Sequence, residues 1–381
     1  MRRSERIQRK KHPIVPTKKQ QRKRSSNQEP EQKVIHARRG GWYDRYYKPL
    51  LILPLLLLVL AIAVIAIQTA TTGDFIHRGV NLKGGLVVTI SSPTVDGELL
   101  AQRLRLTFPD QDIESRTLES AGSQVAVTIS SDLDPADDRL LNTFLAAVAK
   151  GAQVPQDELS TETIGSSLGA TFFQQTSKAL FIAFLFMGLV VFLYFSDAKR
   201  VKFIAFLATL VASIFMYNVA SWTNIVALLL GVAIIGLYAR YNIPSVAVIL
   251  AAFSDIVVTL AVIDLMGMKL STAGIAAFLM LIGYSVDTDI LLSTRVLKRS
   301  GGTVYDRIVS AVKTGLTMNF TTMAAVVVAL ILAESEVITQ IMTILLIGLL
   351  ADMINTWFQN AGILRWHLER VEQREKKGVR A

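Results

Sequence analysis

LIGYSVDTDILLSTR, residues 281 to 295, opens as an apolar helix and then sets two carboxylates, Asp287 and Asp289, into it. A carboxylate at helix depth in a bilayer costs roughly 2.5–3.5 kcal/mol on insertion scales unless it is protonated, paired or facing water. The two acids are two positions apart, about 200° around a helix, so they cannot share one face. Asp287 falls on a stripe with Gly283, Tyr284, Leu291 and Thr294, and Asp289 on one with Ile282, Ser285 and Ser293. We expect Asp287 to face a seam between helices and Asp289 to sit nearer water, close to Arg295 or Lys298, although the helical wheel alone allows either.

The rest of the chain makes this segment one span among several. Of 381 residues, 51% are hydrophobic, mean hydropathy is +0.43 and the formal charge is +10. Oil and basicity in this combination indicate a membrane protein. Residues 1 to 48 carry 16 Lys/Arg against 4 Asp/Glu, a charge of +12, which leaves the remainder at −2. A basic segment abutting a long apolar run fixes orientation or touches anionic membrane lipid more readily than it binds nucleic acid. The chain has no cysteine, which removes disulfides, thiolate catalysis and Cys-ligated metal.

Runs long enough to cross about 30 Å of hydrocarbon lie near 49–68, 177–196, 202–221, 223–240, 245–267, 271–292, 312–333 and 338–359. This predicts eight helices, or six if 202–240 does not cross. The first run is too long, and too far from the start, for a cleaved signal. With the basic tail of residues 1–48 inside and unstructured, SDAKRVK, YARYNIP, STRVLKRSGGTVYDR and the C-terminal tail 361–381 all fall on the cytoplasmic side. Both termini are then cytoplasmic, and the helices of 177–360 form one bundle.

Residues 69–176 are then extracytoplasmic. LVVTIS (86–91) and VAVTIS (125–130) alternate as strands do, whereas GELLAQRLRLTF and ADDRLLNTFLAAVAK have helical spacing. With weaker strands near 111–119 and 158–164 the order is β-α-β-β-α-β, a ferredoxin-like α/β pattern.

Further charges lie at membrane depth. Asp255 is near the middle of its span, Asp352 is as deep as Asp287 and Asp289, and Lys313 begins the seventh span at a similar level. They read as a polar seam through the bundle. One reading makes them structural ion pairs, Lys313 with Asp287 or Asp352; the other makes them groups that bind and release a proton or sodium ion.

GVNLKGG (79–85), AAFSDIV, LIGYSVDTDILLSTRVLKR and KTGLTMNFTTMAA together resemble the archaeal branch of the SecD/SecF family of protein-export membrane proteins, part of the resistance-nodulation-division group. The likeness runs over most of residues 49–370, and the GYSVDTDILLSTRVLKR stretch is its specific part. It implies a SecF subunit that works with a SecD-like protein beside a SecY-type translocon. In that picture, proton or sodium flow moves the outside domain on a translocating polypeptide. It also implies that Gly79, Gly84 and Gly85 form the family's glycine element, with Asn81 where an acid is usual. Gly283, Tyr284 and Ser285 match its GYS, Arg295 its arginine, Lys313 and Thr314 its Arg-Thr, and Asp255 an aspartate in the preceding span. Where the bacterial members have Asn-Asp, this chain has Asp-Thr-Asp. Residues 201–241 look like an inserted helical hairpin.

An ion-coupled secondary transporter of a small solute is the alternative, although no paired broken helices appear. A scaffold with purely structural charges is a third reading. Enzyme chemistry has the least support: His12, His36, His77 and His367 have no metal-ligand spacing, Ser/Gly pieces such as SSLGA lack a nucleophile-elbow context, no phosphate-cradling loop is found, and no cofactor is expected.

Overall fold

The computed structural model describes residues 41–120, 123–218, 221–298, 303–333 and 335–378. The expected unstructured tail lies outside the described residues as far as residue 40. From there the chain is helical: α1 (Gly41–Leu50) leads into α2 (Ile52–Thr72). Helix replaces tail here because Tyr47 is buried and its hydroxyl donates to Glu369 Oε2 at 2.5 Å, near the C-terminus.

Eight helices among the described residues are long and apolar enough to cross a membrane. After α2 these are α6 (Ser166–Phe195), α7 (Lys199–Tyr217), α8 (Ser221–Tyr241), α9 (Ile243–Leu265), α10 (Thr272–Lys298), α11 (Val304–Leu332) and α12 (Glu336–Ile354). The last continues through a π-helical turn, Asn355–Asn360, into α13 (Ala361–Gly378), where a tail was expected. In α9 and α10, 61% and 50% of the apolar window is buried, against 17% in α2 and α11, so α9 and α10 form the centre. The outward side chains of α2, such as Ile52, Leu56 and Val59, are exposed oil, as a lipid-facing helix requires.

The hairpin of α7 and α8 stands beside α6 and α9, with Tyr238 stacked on Phe192 at 4.4 Å. Asn242 caps α9 by accepting from Ser245 N, and its Nδ2 donates to the carbonyl of Phe195 at 2.8 Å. The end of α6 and the start of α9 therefore touch, and the hairpin is an excursion between adjacent ends.

Between α2 and α6 lies a small α/β unit: α3 (Val80–Lys83), β1 (Gly85–Ile90), α4 (Gly97–Thr107), β2 (Ile113–Ser120), β3 (Ser123–Ser131), α5 (Asp138–Ala152) and β4 (Ser160–Ile164). Its strands form one sheet in the order β2-β3-β1-β4 with antiparallel neighbours, Val88 opposite Ile129. Asp96 and Asp137 cap the two helices by accepting from backbone N–H groups. Leu100, Leu104, Phe144 and Val148 then pack on Val88, Ile90, Val127 and Ile129. Full burial of each such side chain contributes about 1.5–3 kcal/mol.

Two glycines start β1. Gly84 has φ +89°, and a Cβ there would lie 2.4 Å from the Cα of Ser166; Gly85 has φ +142°, and its Cβ would meet the carbonyl oxygen of Ser131 at 2.2 Å. Only glycine permits both the turn and the close approach.

Candidate functional site

Three carboxylates from three helices meet in the bundle: Asp255 from α9, Asp289 from α10 and Asp352 from α12, each at most 1% exposed. Asp255 accepts from Asn355 Nδ2 at 2.7 Å and from Ser285 Oγ at 2.5 Å. Asp289 Oδ1 accepts from Asn360 Nδ2 at 2.7 Å and lies 3.0 Å from the Thr356 hydroxyl. Asp352 accepts from Asn319 Nδ2 at 3.0 Å, with the Thr288 hydroxyl 3.1 and 3.2 Å from its two oxygens and that of Thr356 at 2.9 Å.

These partners are neutral hydroxyls and carboxamides. A hydrogen bond to a charged group contributes about 1.5–3 kcal/mol, whereas burying an ion costs several kcal/mol and like charges in one network repel. Three bare anions do not fit such a site. Compensation of three ionised acids there would have to come from protons or a bound cation.

Local sequence explains the convergence. Asp352, Thr356 and Asn360 recur every four residues and line one stripe of the last span. The π turn sits within this stripe; such turns often occur at functional sites. Gly315 lets α11 approach closely, since a Cβ there would lie 2.3 Å from the Trp357 ring.

The structure reverses one expectation. Asp287 is exposed beside Gly283 and Tyr284, on the outward face of α10, and Asp289 occupies the seam with Ser285 and Ser293. The faces of α10 are set by the inner helices that it touches, and the stripe carrying Ile282, Ser285, Asp289 and Ser293 is the one that meets them. Lys313 is exposed on α11 and forms no ion pair among the described residues, so it does not balance Asp287 or Asp352. Arg295 binds α10 to α11 by donating to the Ser310 carbonyl at 2.5 Å and to its hydroxyl at 3.0 Å. Thr314 donates back to the Ser310 carbonyl at 3.4 Å. Gly79 N donates to Leu270 O at 2.8 Å, outside the acid cluster.

Sequence reasoning missed the amides and hydroxyls: Asn319, Asn355, Thr356, Gln359 and Asn360. The signal was NTWFQN (355–360), a polar run continuing an apolar span. Gln359 donates to Ser254 next to Asp255, extending the network.

The loop between α9 and α10 joins the cluster's helices to the sheet. Lys269 Nζ lies 2.9 Å from Asp112 and 3.2 Å from Glu114, at the start of β2. Gln340 of α12 donates to the Lys269 carbonyl at 2.7 Å and accepts from the Ser271 hydroxyl. Leu270 N donates to His77 O at 2.7 Å, and His77 Nδ1 lies 3.4 Å from Asp264 at the end of α9. The loop is thus tied at once to α9, α10, α12 and β2.

The family model "Protein export membrane protein SecD/SecF, C-terminal" matches residues 145–225 and 213–370, two segments that overlap within the hairpin. The chain is 32% identical over 330 residues to the protein-export membrane protein SecF of Pyrococcus furiosus, covering 86% of this chain and 93% of that one. It is 33% identical to the SecF of Methanocaldococcus jannaschii, over 87% of this chain and 98% of that one. Among solved structures it is similar to SecDF, a translocon-associated membrane protein from Thermus thermophilus, with a TM-score of 0.56 and 17% identity. That match covers 86% of this chain but 38% of the longer one, and at this identity it speaks for the fold.

Proposed function

Because the chain belongs to the SecD/SecF family of protein-export membrane proteins, we propose that it is a SecF subunit that couples proton movement through the bundle to motion of its α/β domain. The domain is read as ferredoxin-like and extracytoplasmic, with both termini in the cytoplasm of the cell membrane. A SecD-like protein is the partner, and the pair acts beside a SecY-type channel on the emerging polypeptide.

The observation that carries this reading is the group of three buried carboxylates whose partners are neutral. A structural ion-pair network would have placed a base among them. Titratable acids held by groups of either hydrogen-bonding sense can take up and release a proton without dismantling the site. One charge crossing 100 mV is worth about 2.3 kcal/mol, enough to bias a two-state module. The loop through Lys269 supplies a mechanical route from α9, α10 and α12 to β2.

The test is export of a secreted protein in cells whose sole copy of this chain carries D289N or D352N. Each variant should accumulate precursor while the protein remains at wild-type level in the membrane. Normal export in both would refute ion coupling through this cluster. Proton-linked uptake of a small solute by the purified chain would instead favour the secondary-transporter alternative.

A further inference from the structure

We propose that the hydroxyl of Thr356 is the proton bridge between Asp352 and Asp289, an assignment that rests on the proton-coupled reading above. Thr356 Oγ1 lies 2.9 Å from Asp352 Oδ1 and 3.0 Å from Asp289 Oδ1. A hydroxyl has one proton to give and two lone pairs to receive with. It can donate to one of these carboxyls but not to both. The second contact is a hydrogen bond only when that carboxyl brings its own proton, so the geometry is complete with one acid protonated and the other ionised.

The Thr288 hydroxyl lies 2.9 Å from the carbonyl of Ser285 and within 3.2 Å of both oxygens of Asp352. Thr288 gives its proton either to that carbonyl or to Asp352, so it does not compete for a proton that Asp352 directs at Thr356. Across the bridge, Asp289 Oδ1 takes both Thr356 and Asn360, and its buried Oδ2 has no hydrogen-bond partner among the described residues. In the proposed bridge Asp352 is the protonated end and Asp289 the accepting one.

The step balances. The O–H bond of Asp352 breaks as its proton joins Thr356 Oγ1, and the proton that Thr356 held passes to Asp289. Thr356 ends as the neutral alcohol it began as, with its O–H turned, and one proton and one negative charge have changed places. From α9 the titratable group in the network is Asp255, held by Ser285 and Asn355; α11 supplies the neutral Asn319.

The test measures dye-reported proton flux in proteoliposomes made from native membranes, so that the full chain and its partners are present. T356V keeps the shape and removes the hydroxyl, and should lower flux by about tenfold or more. T356S restores the hydroxyl and should recover most of it, which a merely packing role for the methyl group would not produce. T356A serves the same comparison if T356V does not accumulate. Infrared difference spectra of the otherwise native chain give an independent reading: D289N should shift the carboxyl band of Asp352. Folded T356V with wild-type flux, beside a D289N variant that blocks flux, would overturn the bridge and leave the coupling reading intact. T356S as damaged as T356V, or an Asp352 band indifferent to D289N, would also overturn it. Wild-type flux in both D289N and D352N would remove the coupling reading and the bridge together.

Discussion

Carboxylates are handled in opposite ways at the two ends of this molecule. Around the sheet they come with cations and water: Asp74 with Arg78 at 2.7 Å, Asp112 and Glu114 with Lys269, and Asp132 with Lys83 at 3.3 Å. In the bundle they come with hydroxyls and amides and are sealed from solvent. An exposed ion pair contributes at most about 1 kcal/mol, so the first arrangement adjusts a surface at little cost. The second arrangement is expensive in every fully charged state. A bundle built only for stability would have used hydrophobic side chains of similar volume. On the proposed reading, the contrast separates charges that hold parts together from charges that change during a cycle.

The sharpest way to break this contrast is to neutralise each class. D289N and D352N should lower export by about tenfold or more, whereas D287N, on the exposed face of the same helix, should leave it within about twofold; pulse-chase of a secreted protein reads both. Next in size is G84A. It forces a side chain into a left-handed turn against Ser166 and should cost about 1–3 kcal/mol. Earlier proteolysis of residues 85–164, with the bundle intact, would report the loss.

Asn319→Leu removes the amide donor to Asp352. It should lower bundle stability by about 1–3 kcal/mol, since a buried acceptor loses its partner, visible as a reduced Tm in detergent. K269A should cost less than about 1 kcal/mol of stability, because Asp112 is half exposed. Its export defect should nevertheless exceed that of K83A, if the α9–α10 loop transmits movement to β2.

The smallest effect belongs to Glu98. Hydrogen bonds from Ser115 and then Arg105 hold its carboxyl below the usual glutamate value. A folded-state value below the unfolded one gives stability that is present above the unfolded value and lost as pH falls through the folded one. E98Q should therefore flatten a slight acid-side decline in domain stability, followed by urea midpoints at neutral and acidic pH.

How much of this was legible in the sequence depended on periodicity. The eight apolar runs and the alternating strands announced themselves because each repeat has one physical cause, a helix face or a pleat. That Asp255 and Asp352 lie within apolar spans was readable from the length of the runs. The rotation of α10 was not: both of its stripes carry polar groups, and the choice of inward stripe was made by α9, α11 and α12 packing around it. Lys313 misled because depth was read without azimuth. The amides went unnoticed because Asn and Gln carry no charge, although burying one in a span requires a partner just as a carboxylate does. The π turn that carries Asn355, Gln359 and Asn360 has no sequence signature comparable to a cap or a glycine.

The central claim is that the buried acids exchange protons as the bundle works. Infrared difference spectroscopy of the full chain with its native partners in liposomes, between de-energised and energised states, tests this directly. A carboxyl band should appear and disappear with the proton gradient and be altered by D289N or D352N but not by D287N. A spectrum with no gradient-dependent carboxyl change, or one altered equally by D287N, would contradict it.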